Sequence, residues 1–211
     1  YDMVSQSADN FTQERTESVL SREKRIILGS VHQEDDEIVL PAIWELLKKF
    51  PELKILYVPH EPGKIIIEKY RNIFQRQGYS SLVLTDKVSL DLPNERVVIL
   101  GTVGVLSTLY WQGQMAYIGG GFSDGIHNVM EPAIARLPVI FGPRYQHFQE
   151  AEELLKSGGG FAISSVEEFI NTCELLLTQE EHFLKSSFAA TDVIHSNLGS
   201  ATRVVRSLIR D

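Results

Sequence analysis

Short runs of β-branched and aliphatic residues, each closed by a turn former or a polar residue, alternate with longer amphipathic stretches along most of this chain. The runs are Arg25–Gly29, Leu53–Val58, Ser81–Leu84, Arg96–Leu100, Met115–Ile118 and Pro138–Phe141. They are compact and mostly apolar rather than alternating, the pattern of strands buried on both faces. Between them lie Asp36–Phe50, Gly63–Gln77, Val103–Tyr110, Asn128–Arg136 and Phe148–Ser157, with apolar residues at helical spacing. Strands that alternate with helices in this way form a parallel, doubly wound α/β sheet. Gly159–Ile163 offers a short seventh strand beyond the six, and Val166–Leu177, Glu180–His195 and Leu198–Arg210 read as a C-terminal helical tail. Residues 1–24 lack strong periodicity and are expected to be a linker running into a frayed helix, with one domain over residues 25–211.

Charge and composition remove several function classes. With 28 acidic against 20 basic residues the formal charge is −8, and no Lys/Arg cluster relieves it, so nucleic acid is not an expected partner. Cys173 is the single cysteine and sits in an apolar run, which excludes an internal disulfide and points to a buried thiol in a reducing compartment. Apolar runs are too short for a membrane span and the first residues are polar, so a cytoplasmic domain is expected. The chain begins without Met, as a fragment or processed chain would.

In an open α/β sheet ligands gather beyond the carboxyl ends of the strands, which directs attention to the loops after the strands. The loop after the fifth run reads GGGFSDGIHN. Gly119, Gly120 and Gly121 are expected to permit steep turns and close approach of backbone N–H groups to an anion, with the helix starting near Asn128 pointing its positive end at the same space. Glu131 follows Asn128 by three residues and His127 by four, so all three share a helix face. A carboxylate there accepts two hydrogen bonds side by side, as the vicinal hydroxyls of a ribose require, while Asn128 and the glycine amides suit a phosphate. Against this stands a capping box, in which Asn128 and Glu131 satisfy one another's backbone groups and bind nothing.

Other loop residues carry weaker signals. His60, after Pro59, is placed to donate to a phosphate or to form a surface turn. Arg144 is read as a solvated surface residue or an anion contact. A metal site from His32, His60, His127 and His147 is disfavoured, because no two of them form a compact ligand pair in sequence. The run Glu34–Glu37 is read as negative charge at a helix N-terminus. The first strand-to-helix turn, Gly29-Ser30-Val31-His32-Gln33, lacks the G-x-G-x-x-G of dinucleotide enzymes, and no Walker A sequence is present.

The stretch AYIGGGFSDGIHNVMEPAIARLPVIFGPRYQHFQEA resembles the donor-side motif of the bacterial 3-deoxy-D-manno-octulosonic acid (Kdo) transferases, glycosyltransferases of GT-B architecture. LGSVHQEDDEIVLPA, YVPHEP, ILGTVGVLSTLYWQGQMAYIGGG and NLGSATRVVRSLI are similar to further segments of that family, and together they cover its C-terminal half only. Val31-His32 departs from the family's pattern, where smaller polar residues or Trp-Pro are common. The resemblance implies one Rossmann-like half of a GT-B fold that binds CMP-Kdo without a metal to hold the donor and without a cofactor. It implies that Glu131 holds the ribose hydroxyls, that Asn128 and Gly119–Gly121 lie at the phosphate, and that Pro59, His60, Gly101 and Gly104 border the nucleotide. The family's catalytic base and its surface for the lipid A precursor lie in the N-terminal half, so this half alone is expected to bind donor without turnover. The whole enzyme would work at the cytoplasmic face of the inner membrane, touching it peripherally. Alternatives are another GT-B enzyme, such as a UDP-sugar transferase or a nucleotide-sugar epimerase, and a non-catalytic nucleotide-sensing or interaction domain.

Overall fold

A computed structural model describes residues 1–6, 18–85 and 91–197. Seven parallel strands form one sheet: β1 (Arg25–Val31), β2 (Lys54–Pro59), β3 (Leu82–Leu84), β4 (Val97–Leu100), β5 (Met115–Ile118), β6 (Val139–Phe141) and β7 (Gly160–Ala162), in the order β3-β4-β2-β1-β5-β6-β7. The short seventh strand therefore forms. The α-helices bounded within the described residues are α1 (Asp36–Lys49), α2 (Lys64–Arg76), α3 (Leu106–Leu109), α4 (Met130–Ile134), α5 (Gln149–Ser157), α6 (Val166–Thr178) and α7 (Glu180–Ser196).

Burial explains the apolar runs. Ile26, Ile27 and Leu28 of β1 and Val97, Val98 and Ile99 of β4 are fully inaccessible, because helices cover both faces of the sheet. α1 carries Asp36 and Glu37 in its first turn and Lys48 and Lys49 in its last, each sign at the end where the helix dipole favours it. α6 packs on α1, and α7 packs on α4 and α5, so the two described helices of the tail complete the layers around the sheet. The third expected tail helix, Leu198–Arg210, lies outside the described residues.

The described part of residues 1–24 touches the domain at several points, and one expectation, the length of a helix, needs correction. Val19 is buried, Gln114 Nε2 donates to the carbonyl of Arg22 (3.1 Å), Arg22 donates to the carbonyl of Ala135 (2.7 Å), and Tyr1 donates to Glu153 (2.8 Å). The helix expected over Asn128–Arg136 shortens to the five residues of α4. Asn128 and Val129 stay irregular, with the Asn128 side chain accepting from the Met130 amide (2.9 Å), so the helix begins only at Met130.

The chain crosses from β1 through α1 to β2 on one side, and β5 returns to the opposite side of β1. The strand order reverses at the β1–β5 boundary, and the loops that follow β1, β2 and β5 open together at the carboxyl edge. That crevice is where such sheets place ligands.

Candidate functional site

One buried carboxylate organises the crevice. Asp35 is fully inaccessible; its Oδ2 accepts from the amides of His32 (2.8 Å) and Gly120 (2.8 Å), and its Oδ1 accepts from the Tyr117 hydroxyl (2.9 Å). It thereby ties the loop after β1 to the loop after β5. Its neighbour Asp36 accepts from the hydroxyls of Tyr57 (2.6 Å) and Tyr70 (2.8 Å), and burial pushes its carboxyl above the ordinary carboxylate range, while the two tyrosines oppose that shift. The run Glu34–Glu37 does place negative charge at the N-terminus of α1, and its two central members do more than that. They are internal struts, and the tyrosines that engage them come from β2, α2 and β5, far away in sequence.

The glycines after β5 are demanded by packing. A Cβ on Gly119 would lie 2.2 Å from Ser30 O, one on Gly120 2.3 Å from Gly125 O, and one on Gly121 2.6 Å from Gly142. Only Gly120, at φ 90°, also needs left-handed backbone. The Gly119 amide donates to Gly29 O (2.9 Å), and the Gly120 amide is held by Asp35. Two of the three amides expected to cradle a phosphate are therefore spent inside the fold. Ser30, at φ 52°, adds a second constrained backbone where β1 is irregular against β2.

Three imidazoles meet above this frame. His32 leaves β1, His60 follows Pro59 at the end of β2, and His127 ends the glycine loop. The ring centroids lie 4.3 Å apart for His32 and His60, 4.5 Å for His60 and His127, and 4.9 Å for His32 and His127. Nε2 of His32 is 2.7 Å from Nε2 of His127. Burial, reinforced by the neighbouring His60 and His32, holds His127 below the ordinary histidine range, and Asp35 only partly offsets this. His147 is exposed and lies outside the cluster. Sequence spacing could not show this trio, since each histidine comes from a different strand end and only the sheet order brings them together.

Glu131 lies in α4, half-buried. Burial pushes its carboxyl above the ordinary glutamate value, and a hydrogen bond from the Asn128 side chain partly offsets the shift. Its charge is felt by the buried Tyr110 hydroxyl, which occupies the space above Gly29. Asn128 Oδ1 accepts from the amide of Met130 (2.9 Å), a local turn and not the reciprocal pairing of a capping box. Arg144 is exposed, as a surface residue is expected to be; its guanidinium also donates to Ser123 O, and its amide donates to Gly121 O (3.0 Å), so it braces the glycine loop.

Two grooves flank the histidines. One of about 390 Å³ is bordered by His32, Pro59, His60, Glu61 and Asp124; the other, about 350 Å³, by His127, Asn128, Met130 and Phe148. Gly101 and Gly104 follow β4 on the same sheet edge but border neither groove. Gly101 donates to Leu84 O (2.7 Å), and Gly104 adopts φ 81° in open space. Cys173 is fully buried and its thiol is pushed up by that burial, as expected of a packing residue.

An all-parallel sheet with this order, this crevice and these closing helices is one half of a GT-B fold. It superposes on the C-terminal CMP-Kdo binding domain of WaaA from Acinetobacter baumannii with a TM-score of 0.71 at 20% identity, over 92% of this chain and 99% of that one. A second solved structure, the C-terminal domain of a group 1 family glycosyl transferase (LpcC) from Francisella tularensis, gives a TM-score of 0.61 at 11% identity, over 82% and 85%. Sequence narrows the class: the chain is a homologue of the bacterial 3-deoxy-D-manno-octulosonic acid transferases. It is 32% identical to that of Chlamydia pneumoniae over 163 residues, 75% of this chain and 36% of the relative. It is likewise 32% identical to that of Aquifex aeolicus over 161 residues, 74% of this chain and 43% of the relative. The chain thus spans well under half the length of the curated relatives it matches. No family model matches it.

Proposed function

We propose that this domain is the donor-binding half of a Kdo transferase and takes CMP-Kdo into the crevice at the β1–β5 reversal. The observation that carries the reading is Glu131: a half-buried carboxyl on the ligand-bearing edge whose shift traces to burial and to Asn128 alone. A carboxylate so placed gains most from two vicinal hydroxyl donors, which replace the water it has lost. Asn128 turns its amide toward that carboxyl and keeps it oriented. Since the Gly119 and Gly120 amides are engaged, the phosphate falls to the neighbouring side chains, with the ring N–H groups of His60 and His127 as donors, and the glycines keep the loops close enough for those rings to converge. Pro59 fixes the approach of His60, whereas Gly101 and Gly104 shape the rim.

In the whole protein the cytidylate phosphate would be the leaving group, its charge met by preorganised donors in this crevice while a base on the N-terminal half activates a hydroxyl of the lipid A precursor. That reaction would run at the cytoplasmic face of the inner membrane, with no more than peripheral contact. No described helix is long and apolar enough to cross a bilayer.

Calorimetric titration of the domain with CMP and, separately, UDP tests the reading. CMP is expected to bind more tightly than UDP. Glu131→Ala removes two hydrogen bonds to an ionised acceptor, which is expected to weaken CMP about tenfold to a hundredfold with the fold retained. Equal affinity of the variant and the parent would remove Glu131 from the ribose; tighter UDP binding would favour a UDP-sugar enzyme.

A further inference from the structure

The helix that carries Glu131 cannot hold itself in place. α4 has five residues, of which Pro132 offers no N–H, and a helix so short does not persist on its own hydrogen bonds. The chain leaves it abruptly: Arg136, at φ 67°, lies in the left-handed region, which a residue other than glycine occupies only where its surroundings impose it. The carbonyls at that ending are met by side chains from two distant elements. Arg22, ahead of β1, donates through its guanidinium to Ala135 O (2.7 Å), and Ser187 of α7 donates through its hydroxyl to Arg136 O (2.7 Å). The Thr191 hydroxyl, one turn further along α7, lies 3.1 Å from Ala133 O and 3.2 Å from Ser187 O. We propose that Arg22, Ser187 and Thr191 are positioning residues for the donor site: they clamp the end of α4 and so fix where the Glu131 carboxylate meets the ribose.

This rests on the ribose role of Glu131 and extends it to three groups at the opposite end of the helix. Arg22 is itself held. Gln114, buried just before β5, donates to its carbonyl (3.1 Å), and its guanidinium lies 5.4 Å from the centre of the Trp111 ring. Its charge stands at the C-terminal end of α4, the end where a helix favours a cation. Ser187 is buried, so water does not readily replace its bond to Arg136 O. Ala135 lies four residues beyond Glu131, about 6 Å along the axis at 1.5 Å per residue. A turn that short moves as one body, and slack at its end reaches the carboxylate. Two hydrogen bonds to vicinal hydroxyls require both carboxylate oxygens to be aimed at once, and a displacement of about 1 Å is enough to lose that geometry.

Calorimetric titration of the full chain with CMP and with 2′,3′-dideoxy-CMP, which lacks both ribose hydroxyls, tests this. The parent is expected to prefer CMP. Arg22→Ala and Thr191→Val should each weaken CMP binding, Arg22→Ala about tenfold, and leave the dideoxy nucleotide unchanged. Arg22→Lys, which keeps the charge and a donor, should retain most of the CMP affinity. In Glu131→Ala the Arg22 substitution should add nothing, because its effect passes through that carboxylate. Far-UV circular dichroism checks folding, and Thr191→Val carries the test should Arg22→Ala unfold. CMP affinity unchanged in both variants, or the two nucleotides weakened equally, overturns the clamp. A parent that binds the two nucleotides alike overturns the ribose reading of Glu131 itself, and the clamp with it.

Discussion

Removing the Asp35 carboxylate should do more damage than its place in an acidic surface-like run suggests. Asp35→Ala leaves the part-buried amide of His32, the buried amide of Gly120 and the buried Tyr117 hydroxyl without their acceptor. An unsatisfied buried donor costs about 1–3 kcal/mol. Two amides together with about 1 kcal/mol for a hydroxyl free to rotate give about 3–7 kcal/mol, and release of a buried charge offsets part of that. The expected loss is about 3–5 kcal/mol, a large share of the roughly 5–15 kcal/mol that holds a domain together. Asp35→Asn keeps the shape and one carbonyl acceptor, so its loss should be about 1–2 kcal/mol, the difference between charged and neutral hydrogen bonds. Urea unfolding followed by tryptophan fluorescence and circular dichroism separates these values, provided the m-value is unchanged. A loss below about 1 kcal/mol for Asp35→Ala would refute the reasoning, because it would mean that the two loops are not joined through this group.

Three further outcomes follow from the same geometry. Gly119→Ala places a methyl 2.2 Å from a main-chain oxygen that cannot yield, so a loss of about 1–3 kcal/mol or more is expected in urea unfolding, whereas Gly104→Ala meets open space and should cost about 1 kcal/mol through its positive φ alone. CMP affinity should show a step of loss on acidification that begins above the ordinary Glu value of 4.5, because the free-state carboxyl of Glu131 is raised and ribose hydroxyls need its ionised form; calorimetry across pH should show that step lost in Glu131→Gln. Cys173 should resist alkylation in the folded protein and react on addition of denaturant; rapid modification of the native chain would contradict its burial.

The layers of the fold were legible because buried strands in a parallel sheet must be apolar on both faces. Ile26–Leu28 and Val97–Ile99 announce that requirement without reference to any partner. Gly160–Ala162 was legible only as a candidate, since three residues carry little periodicity. The site was harder. His127, Asn128 and Glu131 are close in sequence and could be read together, but the function of the glycines before them could not. Their packing against Ser30, Gly125 and Gly142 depends on which loops lie side by side, and that is set by strand order. Asp35 and Asp36 look like solvent-facing charge until Tyr57, Tyr70 and Tyr117 arrive from other elements. The histidine trio escaped for the same reason: spacing rules detect site residues that share a turn or a helix face, and these share only a sheet edge.

A crystal structure of the domain soaked with CMP tests the central claim most directly. The account predicts both ribose hydroxyls on the Glu131 carboxylate, the phosphate against His60 and His127, and the Gly119 and Gly120 amides still bound to Gly29 O and Asp35. A nucleotide seated away from the β1–β5 crevice, with Glu131 still turned to Asn128, would contradict it.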